Sequence, residues 1–113
     1  DEIGKRYNLI KTNNGKIRHF VNGERRTVTN FDYILKDGKL TFGDKHSFIS
    51  KGENVDYAGR MRLSPDGKSI KMWDNGSGHY KPKATDIEAQ ETVRQAFKDQ
   101  FGINLPPFTE FTP

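Results

Sequence analysis

The 113-residue chain predicts an α+β domain: a twisted antiparallel β-sheet of about five to seven strands with one C-terminal α-helix packed on it. Three observations carry this expectation. Four Asn-Gly or Asp-Gly pairs punctuate the first 73 residues, each between runs rich in β-branched and aromatic side chains, and such pairs are the strongest short hairpin signal. A period-3.6 apolar stripe then appears once, after Thr85. The length suits one core and is too short for two, so residues 1–113 read as a single domain.

Taken in order, Tyr7 to Ile10 and Ile17 to Val21 flank Asn14-Gly15, and Asn22-Gly23 turns the chain toward Thr27 to Thr29. Phe31 to Leu35 and Lys39 to Phe42 flank Asp37-Gly38; Val55 to Leu63 and Ser69 to Trp73 flank Asp66-Gly67. Thr85 with Glu88 has the spacing of a capping box, and Asp86 suits the positive end of a helix. Ala89, Val93, Ala96, Phe97 and Phe101 follow at helical spacing over about 86–101, and Gly102 stops them. The stripe is one face wide, so the helix is expected to lie across one side of the sheet. The tail from Ile103 to Pro113, with Pro106-Pro107 and two Phe residues, is expected to wrap the body in extended form.

Composition narrows the functional classes. Leu, Ile, Val and Phe total 25 residues, just above the roughly 20% below which charged chains stay disordered. No apolar run approaches the ~18 residues that cross a bilayer, so the domain carries no expected membrane segment. The start at Asp1-Glu2, without Met and without a signal sequence, reads as a fragment of a longer protein. Cys is absent, which removes disulfides, thiolate metal sites and a Cys nucleophile together. The net charge of +4 is unevenly placed: residues 1–85 hold 17 basic and 10 acidic side chains, residues 86–113 hold 2 and 5. A basic body of this kind suits a polyanionic partner such as nucleic acid.

Metal and nucleotide motifs are missing. His19, His46 and His79 stand alone, without the paired spacing of a helical metal site, and no full Walker phosphate loop is present, since Gly67-Lys68-Ser69 has Arg62 where the first Gly of that loop would stand. No metal or cofactor is therefore expected. The unusual stretch is Asp74 to Lys83, which gathers two glycines, Ser77, His79, Tyr80, Lys81 and Lys83 into one connection before the helix. Backbone amides at Gly76 and Gly78 can cradle an anion that Lys81 and Lys83 neutralise. Gly43 to Phe48 has a similar grammar, with Ser47 beside His46. His19 alternates within a strand and reads as structural.

Two histidines on separate connections beside lysines suit metal-independent RNA cleavage. One imidazole takes the 2′-hydroxyl proton, the oxygen attacks phosphorus in line, the other imidazole protonates the leaving 5′-oxygen, and a cation steadies the phosphoryl centre. His46 and His79 are the catalytic candidates, with Lys81, Lys83 or Arg60 as the cation. Tyr80 or Trp73 could stack on a base, Trp73 being equally suited to the core. Alternation puts Arg60 and Arg62 on one strand face with Ala58, opposite Tyr57, Met61 and Leu63, which makes the arginines the solvated or ligand-facing side. Lys81 joins the histidines in the catalytic set; Ser47, Arg60, Arg62, Ser77, Tyr80 and Lys83 form the substrate-binding set.

The order Phe31-Asp32-Tyr33-Ile34-Leu35, Asp37-Gly38-Lys39-Leu40, Phe42-Gly43, His46-Ser47, Ala58-Gly59-Arg60-Met61 and Ser77-Gly78-His79-Tyr80-Lys81-Pro82 resembles the C-terminal toxin domains of bacterial polymorphic and contact-dependent inhibition toxins. Domains of this size often resemble the barnase/EndoU/colicin/RelE-type ribonucleases. That resemblance implies an antibacterial endoribonuclease, often directed at tRNA, which works without metal and is neutralised by a cognate immunity protein. It also implies secretion as part of a larger toxin and action in the target-cell cytoplasm. By the same resemblance His46 and His79 fill the paired-histidine roles and Lys81 or Lys83 the cationic one. The chain departs from that class in placing its helix last and in lacking a full EndoU histidine motif. Two other readings stand beside it: a non-catalytic RNA- or protein-binding module, and an ADP-ribosyltransferase toxin, for which no clearly placed catalytic Glu is present.

Overall fold

A computed structural model describes residues 6–21, 23–43, 55–76, 83 and 85–109. The architecture is α+β, as the sequence predicts, but its strands divide between two antiparallel sheets. The larger has five strands in the spatial order β1 (Arg6–Tyr7), β6 (Lys39–Gly43), β5 (Asn30–Lys36), β7 (Tyr57–Leu63) and β8 (Ile70–Trp73). The smaller has three, β2 (Leu9–Lys11), β3 (Ile17–Val21) and β4 (Glu24–Arg26). The division falls at Asn8. Tyr7 pairs with Phe42 in one sheet, and Leu9 pairs with His19 in the other.

Turn chemistry sets the hairpins. Asp37 and Gly38 both have positive φ, 53° and 77°, the requirement of a two-residue turn whose twist matches the flanking strands. Lys36 is thereby set against Lys39, and the register runs on to Asp32 against Gly43. The strand expected at Thr27 to Thr29 lies earlier, at Glu24–Arg26. Val21 already pairs with Glu24 and Phe20 with Arg25, so strand pairing starts at once and the β-branched run follows it.

A backbone bond ties the two sheets: the Ile17 amide donates to Gly67 O at 2.7 Å. The turn between β7 and β8 is thus docked on the start of β3.

The core lies between the five-stranded sheet and α1 (Ile87–Phe101). Alternation in β5 and β7 sends Phe31, Tyr33, Leu35, Tyr57, Met61 and Leu63 inward, where they meet Trp73, Val93, Phe97 and Phe101. Each such side chain contributes up to about 1.5–3 kcal/mol on burial. Phe42 anchors the helix, its ring 5.4 Å from Phe31, 6.4 Å from Phe97 and 6.0 Å from Phe101. Asp86, rather than Thr85, caps the helix: its carboxylate accepts from the Ala89 amide at 3.1 Å, which leaves Thr85 one residue outside. Gly102, at φ 70°, ends it by donating to Lys98 O at 2.7 Å.

The tail does lie along the body as far as Thr109. Leu105 is buried, Pro106 O accepts from the Trp73 indole at 2.7 Å, and Phe108 packs edge-on against Trp73 at 5.1 Å. Thr109 then donates to Trp73 O, and a short parallel bridge joins it to Asp74 at the β8 edge.

Candidate functional site

The face of the five-stranded sheet away from α1 carries the site. Along β7 the residues Gly59, Met61 and Leu63 are buried while Arg60 and Arg62 are exposed, as strand alternation predicts. Cross-strand register puts Asn30 opposite Arg62, Asp32 opposite Arg60, and Met72 on the other side of Arg62. Asn30, Asp32, Arg60, Arg62 and Met72 line a hollow of about 140 Å³.

Asp74 is the polar anchor beside it. This carboxylate is almost fully buried, and the described groups it touches are donors. One oxygen accepts from the Arg60 amide at 3.0 Å and the Gly76 amide at 2.8 Å; the other meets the Arg60 guanidinium at 3.5 Å. Its backbone carbonyl accepts from the Tyr33 hydroxyl at 2.8 Å. Buried charge is tolerated only when satisfied in this way. Burial first, then the neighbouring Tyr57 and Asp74, raises the Tyr33 hydroxyl above the ordinary tyrosine range. Asp74 therefore fixes where the chain leaves β8.

A second, wider groove of about 410 Å³ continues from the first, sharing Asn30 and Arg62 with it. Arg18 from β3, Arg62 from β7 and Lys71 from β8 line it, together with Thr27, Thr29 and Ser64; among the described residues no carboxylate does. Arg62 and Lys71 form no ion pair among the described residues, and Arg18 Nη1 donates to Ile17 O at 3.1 Å. Positive charge gathered in a concave surface without acids attracts anions more strongly than the same charge spread out.

Arg60 and Arg62 share the exposed face expected for them. Lys83 does not join them: it lines neither hollow, and its carbonyl accepts from the Tyr57 hydroxyl at 2.7 Å at the approach to α1. His46, Ser47, Ser77, His79, Tyr80 and Lys81 lie outside the described residues. Their described neighbours share one cross-strand row. Gly43 pairs with Asp32 and Asp32 with Arg60, while Gly76 and Arg60 both donate to Asp74. With strands about 4.8 Å apart, Gly43 and Arg60 are on the order of 10 Å from each other.

Trp73 belongs to the core, fully buried, and does not offer a stacking surface. His19 is structural, as expected: its Nδ1 accepts from the Asn8 amide at 3.2 Å and its ring lies 4.7 Å from Tyr7. Arg18 and Lys71 are the functional candidates that sequence reasoning missed. Arg18 follows the buried Ile17 and Lys71 the buried Ile70, so alternation alone could have marked both as outward.

Among the described residues no three His, Asp or Glu side chains gather as a metal site. No helix among them is long and apolar enough to cross a membrane. Comparison with family models, curated proteins and solved structures found no match for this chain.

Proposed function

We propose that this chain acts on RNA, as a metal-independent endoribonuclease toxin domain. The observation that carries the reading is the groove in which Arg18, Arg62 and Lys71 converge without a lining carboxylate among the described residues. Phosphate contacts of this kind dominate nucleic-acid affinity. Arg60, steadied by Asp74, extends the same charge toward the row from which both histidine-bearing stretches depart. Cleavage would then use His46 and His79 as base and acid, with Lys81 or Arg60 as cation.

The resemblance to polymorphic toxin domains supports the biological half of the proposal: delivery within a larger secreted protein, action in the target-cell cytoplasm, and neutralisation by an immunity protein. A basic sheet face calls for an acidic partner.

The test is incubation with total tRNA in EDTA. Discrete cuts with cyclic phosphate ends, abolished by His79→Ala or His46→Ala, are the expected result. Intact RNA at excess protein would remove the cleavage claim. A second reading, a non-catalytic RNA-binding module, is favoured by the groove's described lining, which is cationic and hydroxylic with no acid–base pair.

A further inference from the structure

We infer that the nucleic acid held here is single-stranded, and that Phe20 is its base-stacking platform. The inference rests on the phosphate-binding reading of the Arg18–Arg62–Lys71 groove. Phe20 and Ile87 are the large apolar side chains left exposed among the described residues, Phe20 at 38%. Their settings differ. Ile87 starts a helix beside Asp86 and Glu88, an acidic setting that repels phosphate, whereas Phe20 stands two residues from Arg18 on β3.

Strand alternation places Phe20 and Arg18 on one face, about 7 Å apart along β3, with half-buried Ile10 opposite Arg18 in the register. Ile17, on the other face, is completely buried. The small sheet therefore has one face committed to the core and one carrying a cation and an aromatic ring to solvent. Its cation lines the groove. A strand whose phosphates sit against Arg18, Arg62 and Lys71 is thus led past the Phe20 ring.

That geometry selects against a duplex. Paired bases keep their faces stacked inside the helix, whereas unpaired bases can splay onto an aromatic ring. Thr27, Thr29, Ser64 and Asn30 supply the hydroxyl and amide groups that line such a path. The groove volume lies within the ~300–1,000 Å³ range of small-ligand sites, room for a piece of one strand.

The experiment measures binding by fluorescence anisotropy with the full chain. Its probes are a labelled 2′-O-methyl oligouridine octamer, which lacks the attacking hydroxyl, and a blunt duplex of the same chemistry. Phe20→Leu keeps apolar bulk but has no π-face; Phe20→Trp restores one. The inference expects octamer binding tighter than duplex binding, weakened roughly 10-fold by Phe20→Leu and retained by Phe20→Trp. Replacing Arg18, Arg62 and Lys71 together by Gln should flatten the octamer's log–log salt slope by about 2. Duplex binding equal to octamer binding, or an octamer affinity indifferent to Phe20→Leu, would overturn the inference and leave the phosphate reading standing. Failure of the unaltered chain to bind either probe at low salt would overturn both.

Discussion

Gly59 faces the carbonyl oxygen of Asp74 so closely that a Cβ at position 59 would collide with it, and would also meet the Tyr33 ring at 2.9 Å. The same carbonyl accepts the Tyr33 hydroxyl. The two nearest atoms belong to the Asp74 backbone, so that contact cannot be relieved by a rotamer change. Gly59→Ala should lower unfolding free energy by about 3 kcal/mol or more, at the upper end of overpacking costs. Urea denaturation reads this directly; a loss below about 1 kcal/mol would mean that β8 moves aside easily.

Asp74 and Arg60 form an ion pair whose members should contribute unequally. The Arg60 side chain is 49% exposed, and removing the charge of a surface partner costs about 0–1 kcal/mol. Asp74 also satisfies two backbone amides. Asp74→Ala leaves those donors without an acceptor, at about 1–3 kcal/mol. Chemical denaturation of Asp74→Ala and Arg60→Ala should therefore rank the aspartate change as the more damaging. Equal losses would reduce Asp74 to a simple charge partner.

The helix start gives a paired comparison. Asp86→Ala removes the cap on the Ala89 amide and should cost about 1 kcal/mol. Thr85→Ala should stay within about 0.5 kcal/mol. Thermal melts that reversed this order would restore the Thr85 capping box.

Alkaline pH should destabilise the fold through two buried phenols. The Tyr33 hydroxyl is raised chiefly by burial, and Tyr57 is raised by burial against the lowering effect of the Gln90 hydrogen bond. Below an unfolded value of about 10, both states keep these protons and the contribution is complete. Above it the unfolded chain releases protons first, so stability falls as pH rises. Tyr33→Phe should flatten that decline while costing about 1 kcal/mol at neutral pH for the lost bond to Asp74 O. Stability measured from pH 8 to 11 and found unchanged in slope would exclude Tyr33 as a contributor.

Local chemistry was legible in the residues; long-range association was not. Asp37-Gly38 announced its hairpin because only certain residues tolerate positive φ at both positions, and Val93, Phe97 and Phe101 announced the buried helix stripe. The split into two sheets was hidden because alternation tells which way a side chain points and not which strand lies beside it: Tyr7 and Leu9 read as one strand, yet they pair 23 residues apart, with Phe42 and His19. The shift of β4 follows from its pairing, Val21 against Glu24, which overrides β-branched propensity at Thr27 to Thr29. The site divides in the same way. Arg60 and Arg62 could be read together because one strand presents both, whereas Arg18, Arg62 and Lys71 meet only after the β7–β8 turn docks on β3.

The bond from Trp73 to Pro106 also orders events in time. The indole is shut away by residues about 33 positions further along, so its pocket stays open until that stretch has been made and brought back. Contacts of such long sequence separation slow folding toward the millisecond-to-second range. A variant truncated before Pro106 would hold a wet tryptophan and a fraying edge.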